Sequence, residues 1–385
     1  RFVSEECAPL IGSRVYYCRD AFDGLTAMEE IAAGTCDRAE SPAGRTRGGD
    51  RQAARRGAGT GGGTHTDAGA DTGAGTGADS GADHIKQTGG FPRVLPGSGI
   101  PRIPFIGSRP VNDTSLNEIY SRMSEHLLFR TRWGYRKGKL SDEEYETLIE
   151  EQVKPDFALL KERCRKEGIF QPRGLYGFFP CARSGDDLVI MDARGAEAAR
   201  FSFPRRKGEP RLCLADYFRT EPDSAAPAGG GAPACGDAAG MASASGWDTA
   251  GNLPDVIAFQ AVTLGPAIEE RTAELFATDR YREYLLTHGL AVETTEAFAE
   301  LVTEQIRREL GFPLPHGGKE ARGKRYSFGY PPCPDLSMNR RLLDLLGAES
   351  IGIGMTETDL MVPEHTTCAF FVHHPAAEYF VIEQE

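Results

Sequence analysis

The stretch Asp255-Val-Ile-Ala-Phe-Gln-Ala-Val-Thr263 is apolar enough to be the central strand of a sheet, and it ends in a turn over Thr263 to Gly265. A short run with so little polar alternation suits a strand covered on both faces. Downstream, the spacing predicts helices over Ile268 to Leu286 and Glu293 to Leu310, the second carrying Phe298, Leu301, Val302, Ile306 and Leu310 on one stripe. Strand patterns return at Ile351 to Thr356, Thr367 to Val372 and Tyr379 to Ile382. Upstream, Leu175 to Pro180, Asp187 to Asp192 and Ala199 to Phe203 are short strand-like runs separated by Gly and Asp turns, the pattern of an antiparallel meander. Two further helices are expected before them. Leu116 to Phe129 carries Ile119, Met123, Leu127 and Leu128 at helical spacing, and Asp142 to Arg165 turns Tyr145, Leu148, Ile149 and Val153 inward. Helices and strands partly segregated in this way predict an α+β fold: a single large domain with a twisted, mostly antiparallel mixed sheet and flanking helices.

Composition sets the limits of that domain within the 385 residues. Residues 38–90 are built almost wholly from Gly, Ala, Thr, Asp and Arg, and 221–252 from Ala, Gly, Ser, Pro and Asp. Neither stretch has the apolar content to bury a core, so a disordered linker and a disordered insertion are expected. The globular domain is then 91–385, preceded by a short piece at 1–37 in which Val15 to Tyr17 reads as a strand, and Leu25, Met28 and Ile31 share one helical face. A formal charge of -12 opposes the electrostatic attraction behind most nucleic-acid binding. No apolar run approaches the roughly 20 residues that cross a bilayer, and the start lacks the charged and apolar regions of a signal peptide, so a cytoplasmic protein with neither nucleic-acid nor membrane partner is expected. Nine scattered cysteines, an odd number with no CxxC pair, suggest neither a disulfide framework nor a structural zinc site. His373 and His374 are adjacent on a predicted strand and should point to opposite faces, so no metal site is expected there.

The chemistry of a site is concentrated in Arg325-Tyr-Ser-Phe-Gly-Tyr-Pro-Pro-Cys-Pro-Asp335. Three prolines and a glycine disfavour helix and leave backbone groups free, giving a rigid loop with exposed amides and carbonyls. Such a loop suits a small polar ligand, because little ordering entropy is lost on binding, and Arg325 could hold a carboxylate bidentately. Glu296, taken alone, reads as a solvated helix residue one turn before Glu300 and two before Glu304.

Arg325-x-x-x-Gly329-Tyr330-Pro331-x-Cys333-Pro334 resembles the signature of the activation domain of cobalamin-dependent methionine synthases. Five more blocks look like that family's and stand in its order: Pro172 to Pro180, Leu212 to Phe218, Phe259 to Gly265, Gly289 to Glu300, and His374 to Phe380. Together they cover most of residues 93–385. The resemblance implies an activation-domain fold that binds S-adenosylmethionine and positions its methyl for reductive methylation of cob(II)alamin when the enzyme's cobalt has been oxidised. The positions matching the family's ligand-binding residues are Glu296, Arg325, Tyr330, Tyr379 and Phe380, with Pro332 and Cys333 in the loop. Pro332 stands where the family usually has Ala, which would tighten the contact to ligand. Ser124 falls where the family carries a carboxylate or amide. No catalytic side chain is implied, because the chemistry belongs to the cofactor and the methyl donor.

Val15-Tyr-Tyr-Cys-Arg-Asp-Ala-Phe-Asp-Gly-Leu25 resembles the final strand and helix of the cobalamin-binding domain that precedes the activation domain in the family. A chain starting at Arg1 is therefore expected to be a fragment of a methyltransferase, with cobalamin bound mainly by upstream sequence. Neither an Asp-x-His-x-x-Gly to ligate cobalt nor an adjacent cysteine pair for zinc occurs in it. The implied partners are a cobalamin-binding domain, in the same polypeptide or in trans, and a reducing protein such as a flavodoxin or flavoprotein reductase. The alternative is a stand-alone protein that binds S-adenosylmethionine and docks on a corrinoid partner without methyl transfer.

Overall fold

In a computed structural model the described residues are 99–111, 114–208, 210–220, 254–314 and 322–382. The chain divides into two units between Gly90 and Phe91, and every described residue belongs to the second. The expectations for 1–37, 38–90 and the 221–252 insertion fall outside the described residues. In chain order the strands are β1 (Gly107–Pro110), β2 (Arg173–Ser184), β3 (Asp187–Met191), β4 (Glu197–Ser202), β5 (Val256–Thr263), β6 (Lys324–Tyr326), β7 (Gly354–Met355), β8 (Met361–Val362) and β9 (Thr366–Val372). The helices are α1 (Leu116–Tyr120), α2 (Glu125–Leu127), α3 (Asp142–Leu148), α4 (Lys154–Lys166), α5 (Ala267–Ala277), α6 (Tyr281–Glu309) and α7 (Met338–Leu346).

The main sheet runs β4-β3-β2-β5-β9-β6, with β1 also paired to β2. Each named strand pair is antiparallel, and a lone parallel bridge joins Arg183 to Thr220. The 255–263 run does become the central strand: all eight residues of β5 are buried. Alternation along it feeds two cores. Ile257, Phe259 and Ala261 join a cluster with Leu342, Leu343 and Leu346 of α7 and with Cys213 to Phe218, while Val256, Ala258 and Val262 pack with Phe298, Val302 and Ile306 of α6. Burial of each large side chain stabilises the fold by roughly 1.5–3 kcal/mol.

Four expectations are corrected. Leu116 to Phe129 is not one helix, because Ser121 bonds back to the Glu118 carbonyl and Ser124, in extended backbone, starts α2 by accepting the Leu127 amide at 3.3 Å. A π-helical turn, Leu128–Arg132, then continues it. The break between the two later helices lies at 278–280, where Asp279 is left-handed (φ 57°), and α6 runs unbroken through 287–292. The 351–356 run yields only the two residues of β7, paired to β8, because Gly347 and Gly352 turn the chain left-handed around a short 3-10 turn. Tyr379 to Ile382 forms no strand: its neighbour is the loop at 331–334, whose prolines have no N–H to give a ladder, and the one backbone bond it makes among the described residues is from Ile382 N–H to the Pro331 carbonyl at 3.2 Å.

α6 tolerates its mid-helix Gly289 because Trp133 lies against it. The indole is 1% exposed, donates from Nε1 to the Leu286 carbonyl at 3.0 Å, and touches Phe129 and Phe157. Beside it Glu293, also buried, faces Arg132 at 3.9 Å. Burial raises the Glu293 pKa, with Arg132 acting in the opposite sense.

Two measurements test this anchoring. A Cβ at residue 289 would sit 2.9 Å from Trp133 Cδ1. Replacing a helical Gly with Ala ordinarily stabilises by about 0.5–1 kcal/mol, but here overpacking against a pinned indole should cost about 1–3 kcal/mol. Gly289→Ala should therefore lower the urea midpoint, and a raised midpoint would show that Trp133 is not held as described. Glu293 binds its proton more tightly folded than unfolded, so its favourable contribution is present at acid pH and is lost as pH rises from 4.5 through the raised folded value. The stability of the wild type relative to Glu293→Gln should accordingly fall over that rise. A difference that stays constant with pH would mean Glu293 is not desolvated.

Candidate ligand site at the loop 325–335

Arg325 is placed by β6, the last strand of the main sheet, where it pairs in register with Phe371 of β9. Alternation turns its neighbour Tyr326 into the core of the α7 face and leaves Arg325 on the other face, toward α6. There Arg325 Nη2 meets Glu296 Oε2 at 2.9 Å, with a quarter or so of each side chain exposed (25% and 28%). The second terminal nitrogen, Nη1, is buried and finds no hydrogen-bond partner among the described residues. A guanidinium with an unsatisfied buried N–H favours an acceptor, since leaving it unmade costs about 1–3 kcal/mol.

Glu296 belongs to a row on α6. Glu293, Glu296, Glu300 and Glu304 recur every three or four residues and share one face, and each meets an arginine: Arg132, Arg325, Arg307 at 3.1 Å and Arg122 at 3.0 Å. The solvated reading of Glu296 is thereby replaced. The acidic spacing was visible in the sequence, but partners from three other parts of the chain were not.

The loop beyond β6 is a tight turn. Gly329 takes φ 96°, and a Cβ there would lie 2.6 Å from Leu336. Gly329 N–H donates to the Cys333 carbonyl (2.8 Å), and Cys333 N–H to the Tyr330 carbonyl (2.9 Å). The Cys333 thiol donates to the Ser327 carbonyl at 3.0 Å, and burial pushes its pKa up to about 12. With thiol, amide and carbonyl all engaged, Cys333 acts as scaffold and offers no nucleophile. Pro332 is buried within the same turn, and Phe380 lies in the core below at 7% exposure.

What remains open is aromatic. Tyr330 is 41% exposed and Tyr379 58%. The Tyr379 hydroxyl donates to the Arg325 carbonyl, and its ring lies 5.0 Å from that of Tyr326. Desolvation raises both phenol pKa values; Glu296 and Arg325 act on Tyr330 in opposite senses. Both phenols are therefore neutral donors at physiological pH. The structure thus brings Arg325, Glu296, Tyr330 and Tyr379 together. Ser124 caps α2, its side chain accepting the Leu127 amide.

The family described as vitamin B12 dependent methionine synthase, activation domain, matches residues 126–384. Methionine synthases of Mycobacterium tuberculosis (strain ATCC 25618 / H37Rv) and Mycobacterium leprae (strain TN) are 30% and 29% identical to this chain, each over 98% of it. The chain spans 31% and 30% of the length of those relatives. A crystal structure of the MetH reactivation domain bound to AdoHcy shares the fold, with a TM-score of 0.55 over 74% of this chain and 84% of that one, at 21% identity. The family match takes in the α6 glutamate row, β6 and the proline loop, and the chain belongs to the family of vitamin B12 dependent methionine synthase activation domains.

Proposed function

We propose that this chain is the activation module of a cobalamin-dependent methionine synthase, a methyltransferase, and that Arg325, Glu296, Tyr330 and Tyr379 hold S-adenosylmethionine. The observation that carries this reading is the Arg325–Glu296 pair, with a buried Nη1 that has no partner among the described residues. The methyl donor ends in a carboxylate and an ammonium and carries a sulfonium. Its carboxylate fits the free Arg325 N–H, and its cations fit Glu296, so the two halves of the pair match the two ends of an amino acid. The exposed ring of Tyr330 offers a face to the sulfonium, and Tyr379 fixes the backbone of Arg325 from behind. The fold neighbour's bound AdoHcy, which differs from the methyl donor by the methyl itself, supports the same ligand class here.

In this reading the protein binds and orients the donor and supplies no acid or base. Cobalamin, when bound, supplies the cobalt that accepts the methyl. Since the chain has no Asp-x-His-x-x-Gly, cobalamin comes with a cobalamin-binding domain, in the same polypeptide or in trans. A reducing protein such as a flavodoxin or flavoprotein reductase supplies the electron, in the cytoplasm. No helix among the described residues is long and apolar enough to cross a membrane.

Calorimetric titration of S-adenosylmethionine into the 385-residue chain tests the site. Hydrogen bonds to charged groups contribute about 1.5–3 kcal/mol each, so Arg325→Ala should weaken binding at least about tenfold. Tyr379→Phe, which removes only the hydroxyl that holds the Arg325 carbonyl, should weaken it less. A folded wild-type chain that does not bind, or an Arg325→Ala variant with undiminished affinity, would sink this reading.

A further inference from the structure

A second constellation lies apart from the residues assigned to the methyl donor. His288 of α6 and His365, just before β9, face each other with Nδ1 and Nε2 3.2 Å apart. Glu364 adjoins them, and the three ligand atoms lie within 4.8 Å of one another, the one such grouping of three or more His, Cys, Asp or Glu among the described residues. The loop that presents them is pinned at both sides. The His365 carbonyl accepts the Leu264 amide at 3.1 Å and the Thr263 hydroxyl at 3.4 Å, while a Glu269 carboxylate oxygen of α5 accepts the Glu364 amide. Tyr284 stacks on the His288 ring with centroids 5.8 Å apart.

His365 is 3% exposed. Desolvation lowers both histidine pKa values, that of His365 to about 3, with a smaller contribution from the neighbouring ring. Zinc binds imidazole nitrogen at about 2.0–2.1 Å, and tetrahedral geometry then separates two such nitrogens by about 3.3 Å. The observed 3.2 Å is close to that separation. Glu364 is exposed, and its side chain has the reach to close on a cation held by the rings. Arg132, the nearby cation acting on His288, has its charge offset by Glu293.

We propose that His288 Nδ1, His365 Nε2 and the Glu364 carboxylate bind one divalent cation of zinc type, with a fourth position left to solvent. Two imidazoles and a carboxylate are a nitrogen and oxygen donor set suited to zinc, and too rich in nitrogen for calcium or magnesium. The ion joins α6 to the start of β9 beside the end of β5, so its binding also stabilises the domain.

The test uses the untagged 385-residue chain, freed of metal by a chelator and dialysed. Zinc is titrated in competition with a chromophoric chelator, and cobalt(II) is added separately to report ligand type by its absorption spectrum. The expected result is one equivalent of zinc, a raised thermal midpoint, and a tetrahedral cobalt spectrum without a sulfur charge-transfer band. Glu364→Gln, at an exposed position that leaves the core intact, should weaken binding at least about tenfold; His288→Gln should weaken it further. No zinc bound by the wild type, affinity unchanged in Glu364→Gln, or a sulfur band placing cobalt on the cysteines would each overturn the proposal. If His288→Gln fails to fold, Glu364→Gln decides alone.

Discussion

The structure depends on β5 being apolar on both faces. A strand of that kind cannot sit at an edge or against solvent on either side, so it needs a paired strand on each flank and a packed layer above and below. β2 and β9 supply the flanks, α6 one layer, and α7 with the 3-10 turn at Leu214–Tyr217 the other. Once these are in place, the outer strands follow by antiparallel addition, and β6 ends as the last strand beyond β9.

That position of β6 is what makes a site available. An inner strand gives both faces to the core; β6 is three residues long, gives Tyr326 to the core and keeps Arg325 for α6. The proline loop that follows satisfies its own backbone through Gly329, Tyr330 and Cys333. Tyr379 then binds the Arg325 carbonyl from the C-terminal segment, and Phe380 anchors that segment in the core. Rigid backbone holds the charged pair, and the aromatic rings around it remain exposed.

Charge on α6 is arranged by the same logic. Its apolar stripe faces β5, and the glutamate row lies at the margin of that contact, where desolvation makes an unpaired carboxylate costly and an arginine partner favourable. The degree of burial grades the effect: Glu293 is buried and its pKa is raised, while Glu296 keeps partial exposure and pairs directly with Arg325. Toward the start of the helix, the same margin holds His288 against the loop before β9.

The sequence by itself determined the central strand, the antiparallel meander, the apolar stripe of α6 and, through the order of its six blocks, the family and the loop that carries Arg325. These are local or periodic signals, set by side-chain type and by the backbone limits of Pro and Gly. Tertiary structure alone decided the rest. Nothing near Glu296 in sequence shows that Arg325 will reach it, and no propensity shows that Gly289 stays helical because an indole fills the space where a side chain would be. Cys333 and Phe380 lie in the signature and in a matched block, and only the fold shows that both are buried, Cys333 with its thiol, amide and carbonyl bonded within its own turn and Phe380 with its ring in the core. His288 and His365 are 77 positions apart. Their meeting depends on the β5–β9 register, which one strand acquires only in the presence of the other.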